Sequence, residues 1–221
     1  MTRGLSRGAV VQVLRDRARS GRLIVAVAGP PGAGKSTATD ALAAELDGAV
    51  VFPMDGFHLD NAILDARGLR ARKGAPETFD TAGFGQALAR ISAGETVIVP
   101  TFDRELDLAR AGARVIDAKA PIVLVEGNYL LLDRAPWSDM RANFDLTISI
   151  DTPLDVLETR LIQRWLDHGL DFQAAKARAE GNDLPNARLV SQHTTRAELI
   201  LAGCDTSDSE EAATPPGSCI A

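Results

Sequence analysis

Apolar residues recur along the chain in five uninterrupted runs, and segments with a helical spacing of apolar positions lie between them. The runs are Leu23–Ala28, Ala49–Met54, Val97–Thr101, Ile122–Val125 and Leu146–Ile150. Runs without polar alternation are typical of parallel strands that are covered on both faces. Helical patterns cover residues 6–19, 36–46, 81–92 and 153–167. The alternation predicts an α/β fold in which helices flank a doubly wound, five-stranded parallel sheet.

Two polar segments follow predicted strands and are expected to cover a ligand. Residues 56–80, here called the acceptor-side segment, are Gly-rich and charged and group four basic residues within 67–73. Residues 165–192 are weakly apolar and are predicted to form a lid. We therefore predict a single domain over residues 1–204. Residues 205–221 contain Ser, Pro and acidic residues with little apolar content, and we predict that they form a disordered tail.

The stretch Gly29–Ser36 satisfies the motif G-x-x-x-x-G-K-[ST] and lies between a predicted buried strand and a predicted helix. In this context the motif forms a P-loop, whose glycines let backbone N–H groups point at phosphate oxygens. Lys35 is expected to reach the β- and γ-phosphates of ATP, and the Ser36 hydroxyl is expected to ligate Mg²⁺. The residues predicted to bind the nucleotide are Gly29, Pro30, Pro31, Gly32, Ala33, Gly34, Lys35, Ser36 and Thr37. Motor ATPases, GTPases and kinases share this loop, so other residues must distinguish them.

Two acidic residues follow predicted strands, at the sheet edge where ligands bind in open α/β folds. Asp55 comes after the second apolar run and could take the proton of an acceptor hydroxyl as a general base. Glu126 comes directly after the fourth run, at the Walker B position, and could hold Mg²⁺ together with Ser36. Either acid could instead stabilise the turn that follows it. Together with the P-loop, the two acids predict a phosphotransfer site.

Some arginines and one histidine are further candidate residues of the phosphotransfer site. Arg160 and Arg164 lie four residues apart on a predicted helix, so they share a face and could clamp the transferred phosphate, although a solvated face is an equal alternative. The three histidines show no metal-ligand spacing. His58 is the histidine of interest because it lies three residues after Asp55.

Charge and cysteine content narrow the class of partner. The net charge of the 221 residues is −6, and four acidic residues of the tail account for most of it, so nucleic acid is not an expected partner. Two cysteines near the C-terminus support neither a disulfide framework nor a metal site. No apolar run approaches the length of a membrane span, and no secretory signal is recognisable. We expect a soluble, cytoplasmic protein without a membrane partner; a homodimer is left open.

Four motifs occur in an order that is characteristic of one group of kinases. They are Pro53-Met54-Asp55-Gly56-Phe57-His58, Pro76-Glu77-Thr78-Phe79-Asp80, Pro100-Thr101-Phe102-Asp103-Arg104 and Val125-Glu126-Gly127. With them, the chain resembles the uridine kinase, phosphoribulokinase and bacterial pantothenate kinase superfamily. Stretches such as Asn128–Leu132 and Asn182–Ala187 resemble a bacterial subgroup described as nucleoside/nucleotide kinase family proteins or putative fructose transport system kinases.

The resemblance implies that Asp55 is the base and that Glu126 is the Walker B acid, in agreement with their positions after strands. It places the acceptor pocket and the lid arginines at Phe102, Asp103, Arg104, Arg160 and Arg164. Phe102 stands where the uridine kinases have a tyrosine, so the resemblance also implies that uridine is disfavoured as the acceptor.

The predicted function is therefore transfer of the γ-phosphoryl group of ATP, with Mg²⁺, to a hydroxyl of a small metabolite such as a sugar, a nucleoside or a pantothenate-like compound. One alternative is a nucleoside monophosphate kinase, in which arginines of the acceptor-side segment would bind a substrate phosphate. Another is a regulatory module that binds ATP without catalysis. A GTPase is disfavoured because the guanine motif N-K-x-D is absent from the sequence.

Overall fold

A central parallel sheet and a separate β-hairpin carry the strands of the computed structural model, which describes residues 4–202. The strands are β1 (Leu23–Ala28), β2 (Val50–Pro53), β3 (Val97–Asp103), β4 (Leu108–Ile116), β5 (Ile122–Gly127), β6 (Leu146–Asp151) and β7 (Leu199–Ala202). Five of them form the parallel sheet in the order β2-β5-β1-β6-β7. The acidic tail predicted over residues 205–221 lies outside the described residues.

Seven α-helices surround the strands within the described part of the chain. They are α1 (Arg7–Ala18), α2 (Lys35–Glu45), α3 (Asn61–Ala66), α4 (Thr81–Ser92), α5 (Leu154–Asp167), α6 (Phe172–Arg178) and α7 (Leu184–His193). A π-helical turn, Ala179–Asp183, joins α6 to α7. The four predicted helices correspond to α1, α2, α4 and α5 within one or two residues, and the predicted α/β fold with a five-stranded parallel sheet is confirmed.

One predicted strand of the parallel sheet is wrong. Residues Val97–Thr101 belong to β3, which pairs antiparallel with β4 in a two-stranded sheet of its own. The reason is that only one face of β3 is covered: Ile98 is 66% exposed, whereas Val97 and Val99 are buried. The fifth place in the parallel sheet is taken by β7, which pairs with β6.

Both faces of the parallel sheet are buried, as the uninterrupted apolar runs predict. On β1, Ile24 and Ala26 belong to one core cluster, while Val25 and Val27 belong to the cluster on the opposite face. Such a strand presents its carboxyl end, rather than a face, for binding.

Residues 165–192 comprise the end of α5, α6, the π-helical turn and most of α7. Leu184, Ala187 and Val190 of α7 are buried. Whether this segment moves as a lid stays a prediction. Among residues 4–202, none of the helices combines the length and the apolar character that crossing a bilayer requires.

Candidate active site

The register of the parallel sheet brings the P-loop and the two predicted acids to one edge. Glu126 near the end of β5 lies opposite Val27 of β1 and opposite Pro53 of β2. The P-loop begins two residues after Val27, and Asp55 comes two residues after Pro53. Three chain segments that are far apart in sequence therefore meet at the carboxyl ends of neighbouring strands.

Glycines allow the P-loop to turn from β1 into α2. Gly32 and Gly34 have φ values of 82° and 81°, a left-handed conformation that side chains rarely adopt. Gly34 is the N-cap of α2, so the backbone N–H groups of the first helical turn are directed at the loop. At Gly29, a Cβ atom would lie 3.0 Å from the Ile150 carbonyl oxygen. The loop has the conformation and the N–H groups of an anion-binding site.

Lys35 lies in the floor of this loop and is 7% exposed. Its Nζ donates a hydrogen bond to the Pro30 carbonyl oxygen at 3.0 Å. Burial lowers the pKa of Lys35, and the negative charges of Glu126 and Asp55 act in the opposite direction. The lysine is thus a buried cation that faces both predicted acids.

Glu126 is buried beside Lys35 and is also 7% exposed. Burial raises the pKa of the Glu126 carboxyl above its ordinary value of 4.5, and the nearby Asp55 charge adds to this, while Lys35 opposes it. The Ser36 side chain lies close enough to lower the pKa of Glu126. A hydroxyl and a carboxylate close to each other are hard oxygen donors of the kind that Mg²⁺ prefers.

Asp55 lies in a 3₁₀ turn, Met54–Phe57, that continues directly from β2. Its Oδ2 is 3.2 Å from Nη2 of Arg104, and its side chain is 27% exposed. Arg104 comes from the turn between β3 and β4, so the β-hairpin, rather than the parallel sheet, supplies this cation. The carboxylate is accessible and oriented by one charged neighbour.

His58 is held between two aromatic rings. Its ring centroid lies 4.1 Å from that of Phe79 and 4.5 Å from that of Phe102. Nδ1 lies 2.8 Å from the Asp55 carbonyl oxygen, which can only accept, so Nδ1 carries the proton. Burial lowers the pKa of His58, although the Asp55 charge opposes this. The imidazole is therefore a neutral, fixed part of the wall next to Asp55.

A cavity of about 450 Å³ opens in front of Asp55. Among the predicted site residues it is lined by Pro31, Asp55, His58, Phe102, Arg104 and Arg164. Asp103 does not line it: its carboxylate accepts from the Leu106 N–H at 3.0 Å and lies 3.4 Å from Arg110 Nη1. Asp103 thus stabilises the turn of the β-hairpin, while its neighbours face the cavity.

The two arginines of α5 face the loop and the cavity. Arg160 Nη1 lies 3.5 Å from the Gly32 carbonyl oxygen. Arg164 pairs with Asp183 at 3.0 Å, and its charge is close enough to lower the pKa of Lys35. Both side chains of α5 therefore lie near the P-loop.

The family assignment follows from sequence comparison. Residues 24–208 match the model of the Phosphoribulokinase / Uridine kinase family. The chain belongs to this family. The match spans most of the chain and includes the P-loop, both acids and α5, so the resemblance inferred from the four motifs is confirmed.

Relatives of the family are similar over most of their length. The chain is 40% identical over 186 residues to the Escherichia coli (strain K12) protein YggC, covering 81% of this chain and 77% of YggC. It is 32% identical over 195 residues to "Putative uridine kinase C227.14" of Schizosaccharomyces pombe, covering 81% and 83%. The crystal structure of a "putative fructose transport system kinase" from Silicibacter sp. TM1040 superposes with a TM-score of 0.85 at 47% identity, covering 89% of this chain and 99% of that one.

Family membership supports an ATP-dependent P-loop kinase that acts on a small molecule.

Several residues of the site were not among the sequence predictions. Lys73 Nζ contacts Asn61 Oδ1 at 2.7 Å and Asp107 Oδ1 at 2.8 Å, which ties α3 to the β-hairpin. Trp165 Nε1 donates to Asp183 Oδ2 at 2.6 Å.

The missed residues had weak signals in the sequence. Lys73 belongs to the basic group of the acceptor-side segment, and Asp183 lies in the stretch Asn182–Ala187 that carried the resemblance. The sequence does not show which side chains Lys73 and Asp183 contact, because those side chains lie elsewhere in the chain.

Two side chains from other parts of the site donate hydrogen bonds to backbone carbonyl oxygens of the acceptor-side segment. Tyr129 Oη donates to the Gly74 carbonyl oxygen at 2.6 Å, and Asn182 Nδ2 donates to the Lys73 carbonyl oxygen at 2.8 Å. These two bonds hold the segment against the strand end after β5 and against the π-helical turn, so it forms a fixed wall of the cavity.

Proposed function

We propose that this kinase transfers the γ-phosphoryl group of ATP to a hydroxyl of a small metabolite bound in the 450 Å³ cavity, with Asp55 as the general base. The observation that carries the proposal is the position of Asp55. Its carboxylate lines the cavity, and its charge acts on the P-loop lysine, Lys35. A hydroxyl in this cavity would therefore lie between the base and the phosphates.

The residues at the P-loop fit Mg²⁺. Ser36 and Glu126 offer a hydroxyl and a buried carboxylate that lie close to each other, and we propose that they hold the ion. When bound, Mg²⁺ neutralises phosphate charge and orients the phosphates. Glu126 is poorly solvated, so a cation in place of lost water would stabilise its charged form.

Three basic side chains are proposed to stabilise the charge of the transferred group. Lys35 contacts the loop from within, and Arg160 and Arg164 approach it from α5. Cations placed before reaction around the equatorial oxygens are the main means by which kinases lower the barrier to phosphoryl transfer.

A second cavity, of about 220 Å³, borders the P-loop and is proposed to take the nucleoside end of ATP. It is lined by Gly29 and Pro30, by the end of β6 from Ser149 to Asp151, and by residues 194–197 before β7. The two cavities share no lining residue, which would leave separate spaces for donor and acceptor.

The two alternative functions, a nucleoside monophosphate kinase and a regulatory ATP-binding module, would require different features of the cavity. A nucleoside monophosphate kinase would transfer to a phosphate oxygen and would have no need of a base such as Asp55. A regulatory module would need no acceptor cavity at all. An ATP-dependent activity on metabolites also accords with the cytoplasmic location expected from the sequence.

The test is an acceptor screen by coupled measurement of ADP release. Purified protein is supplied with ATP and Mg²⁺ and with sugars, nucleosides, nucleoside monophosphates and pantothenate in turn. We expect ADP release that depends on a hydroxyl acceptor and that is abolished in Lys35→Ala. Turnover with nucleoside monophosphates that yields the nucleoside diphosphate, or ATP binding without any acceptor-dependent turnover, would contradict the proposal.

A further inference from the structure

The lining of the acceptor cavity contains an excess of positive charge. Among residues 4–202, five basic side chains and three carboxylates line this cavity. The basic residues are Arg70, Lys73, Arg104, Arg164 and Arg178, and the carboxylates are Asp55, Asp107 and Asp183. A neutral acceptor would leave this excess without a counter-charge.

Most of these cations are paired within the protein. Lys73 contacts Asp107, Arg104 contacts Asp55, and Arg164 contacts Asp183. Arg70 pairs with Asp65, which is exposed and does not line the cavity. Arg178 is different, because no carboxylate of the described residues lies within ion-pair distance of its guanidinium.

Arg178 is also held in place. Its Nη1 donates to the Ala71 carbonyl oxygen at 3.1 Å, and its Cζ lies 5.0 Å from the centroid of the Trp165 ring. The Arg164 guanidinium lies 5.4 Å from the same ring, so two cations border one indole while Asp183 neutralises only Arg164. A fixed guanidinium with unused donors next to a second cation is the arrangement that binds a carboxylate or phosphate.

Arg178 belongs to the acceptor side of the cavity. The charges that act on Lys35 include those of Arg104 and Arg164, which lie near the P-loop. Arg178, in contrast, is bonded to Ala71 in the acceptor-side segment. We therefore assign the anion that Arg178 would bind to the acceptor rather than to ATP.

We propose that the acceptor is an anionic alcohol, whose carboxylate or phosphate group is bound by Arg178, with Arg70 alongside, while its hydroxyl faces Asp55. This inference rests on the proposed function and names the substrate class of the same site. The two kinds of anion share the same recognition, since both accept paired hydrogen bonds from a guanidinium.

The first test compares neutral and anionic alcohols of similar size in the coupled assay. The sets are glycerol, glycerate and glycerol 3-phosphate; fructose and fructose 6-phosphate; and panthenol and pantothenate. We expect turnover with an anionic member and, with it, a rise in KM on the order of 10- to 100-fold in Arg178→Gln. Arg178→Lys should recover part of that loss, and Arg188→Gln, which removes an exposed arginine of α7, should leave KM unchanged.

Preference for neutral members, or an unchanged KM in Arg178→Gln, would overturn the anionic acceptor and leave the phosphotransfer proposal intact. Across the sets, glycerate and pantothenate test a carboxylate, and glycerol 3-phosphate and fructose 6-phosphate test a phosphate.

A binding measurement keeps the inference testable if no acceptor is phosphorylated. With the P-loop filled by a non-hydrolysable ATP analogue and Mg²⁺, glycerate and inorganic phosphate are titrated while Trp165 fluorescence is followed. Trp137, the second tryptophan, is buried in the core and provides a constant background. Saturable quenching in the wild type that is lost in Arg178→Gln supports the anion site; no saturable change with either anion overturns it.

Discussion

Replacing Asp55 with Asn separates catalysis from binding and from stability. The substitution keeps the shape of the side chain but removes the carboxylate that would accept the proton. General bases contribute on the order of 10²- to 10⁴-fold to rate, so we expect kcat to fall by this factor, which corresponds to about 3–5 kcal/mol in the barrier.

The structure predicts little other damage in Asp55→Asn. The lost ion pair involves Arg104, whose side chain is 65% exposed, so the stability change should stay below about 1 kcal/mol. ATP affinity should change little, because the P-loop does not contain Asp55. Coupled assays give kcat, calorimetric titration gives the Kd for ATP, and urea denaturation gives the free energy of unfolding.

Asp103→Asn is the matched control, because Asp103 is close in sequence to the pocket residues but faces Arg110 in the turn of the β-hairpin. We expect it to retain nearly all of the activity. Full activity in Asp55→Asn, or an equal loss in both variants, would refute the assignment of Asp55 as the base.

Three further predictions concern the walls of the site. Gly56→Ala should lower the free energy of unfolding by about 1–3 kcal/mol and reduce kcat, because the new Cβ atom would lie 2.3 Å from the Pro100 carbonyl oxygen and displace the turn that carries Asp55. Urea denaturation measures the first effect and the coupled assay the second. Asp183→Ala should lower the free energy of unfolding by about 1–3 kcal/mol, because Trp165 Nε1 loses its acceptor, whereas the exposed control Asp133→Ala should change it little. Burial lowers the pKa of His58 below its ordinary value of 6.5, so the unfolded chain binds the proton more readily than the folded one, and the free energy of unfolding falls as the pH drops through about 6.5. The loss of stability between about pH 7.5 and about pH 5.5 should therefore be smaller in His58→Gln than in the wild type, as urea denaturation at the two pH values would measure.

The parts of the fold that depend on local sequence could be predicted. The P-loop motif fixes its own flanking strand and helix, and continuous apolar runs identified four of the five sheet strands. Asp55 and Glu126 could be placed together because parallel strands end at a common edge. The register Glu126 opposite Val27 and Pro53 confirms their proximity.

The β-hairpin could not be recognised from the same patterns. Its second strand, β4, reads Leu-Ala-Arg-Ala-Gly-Ala-Arg-Val-Ile and has no apolar run, because most of its residues are exposed. Without a visible partner, β3 resembles another parallel strand. The strand β7 was missed because it has only 4 residues.

The arginine proposed to bind the acceptor's anion is positioned by contacts between distant segments. Arg178 meets Ala71 across 107 positions, and Trp165 meets Asp183 through the π-helical turn. Basic residues in both segments are visible in the sequence, but which of them are neutralised is decided only by the folded arrangement.

The oligomeric state, including a homodimer, stays a prediction.

The most direct test of the central claim is to identify the phosphorylated product. Phosphorus NMR of a reaction that contains ATP, Mg²⁺ and the acceptor found in the screen follows the fate of the γ-phosphoryl group. We predict ADP and a phosphomonoester of the acceptor in equal amounts, with neither product formed by Lys35→Ala. A phosphoanhydride product, or inorganic phosphate alone, would contradict transfer to a hydroxyl.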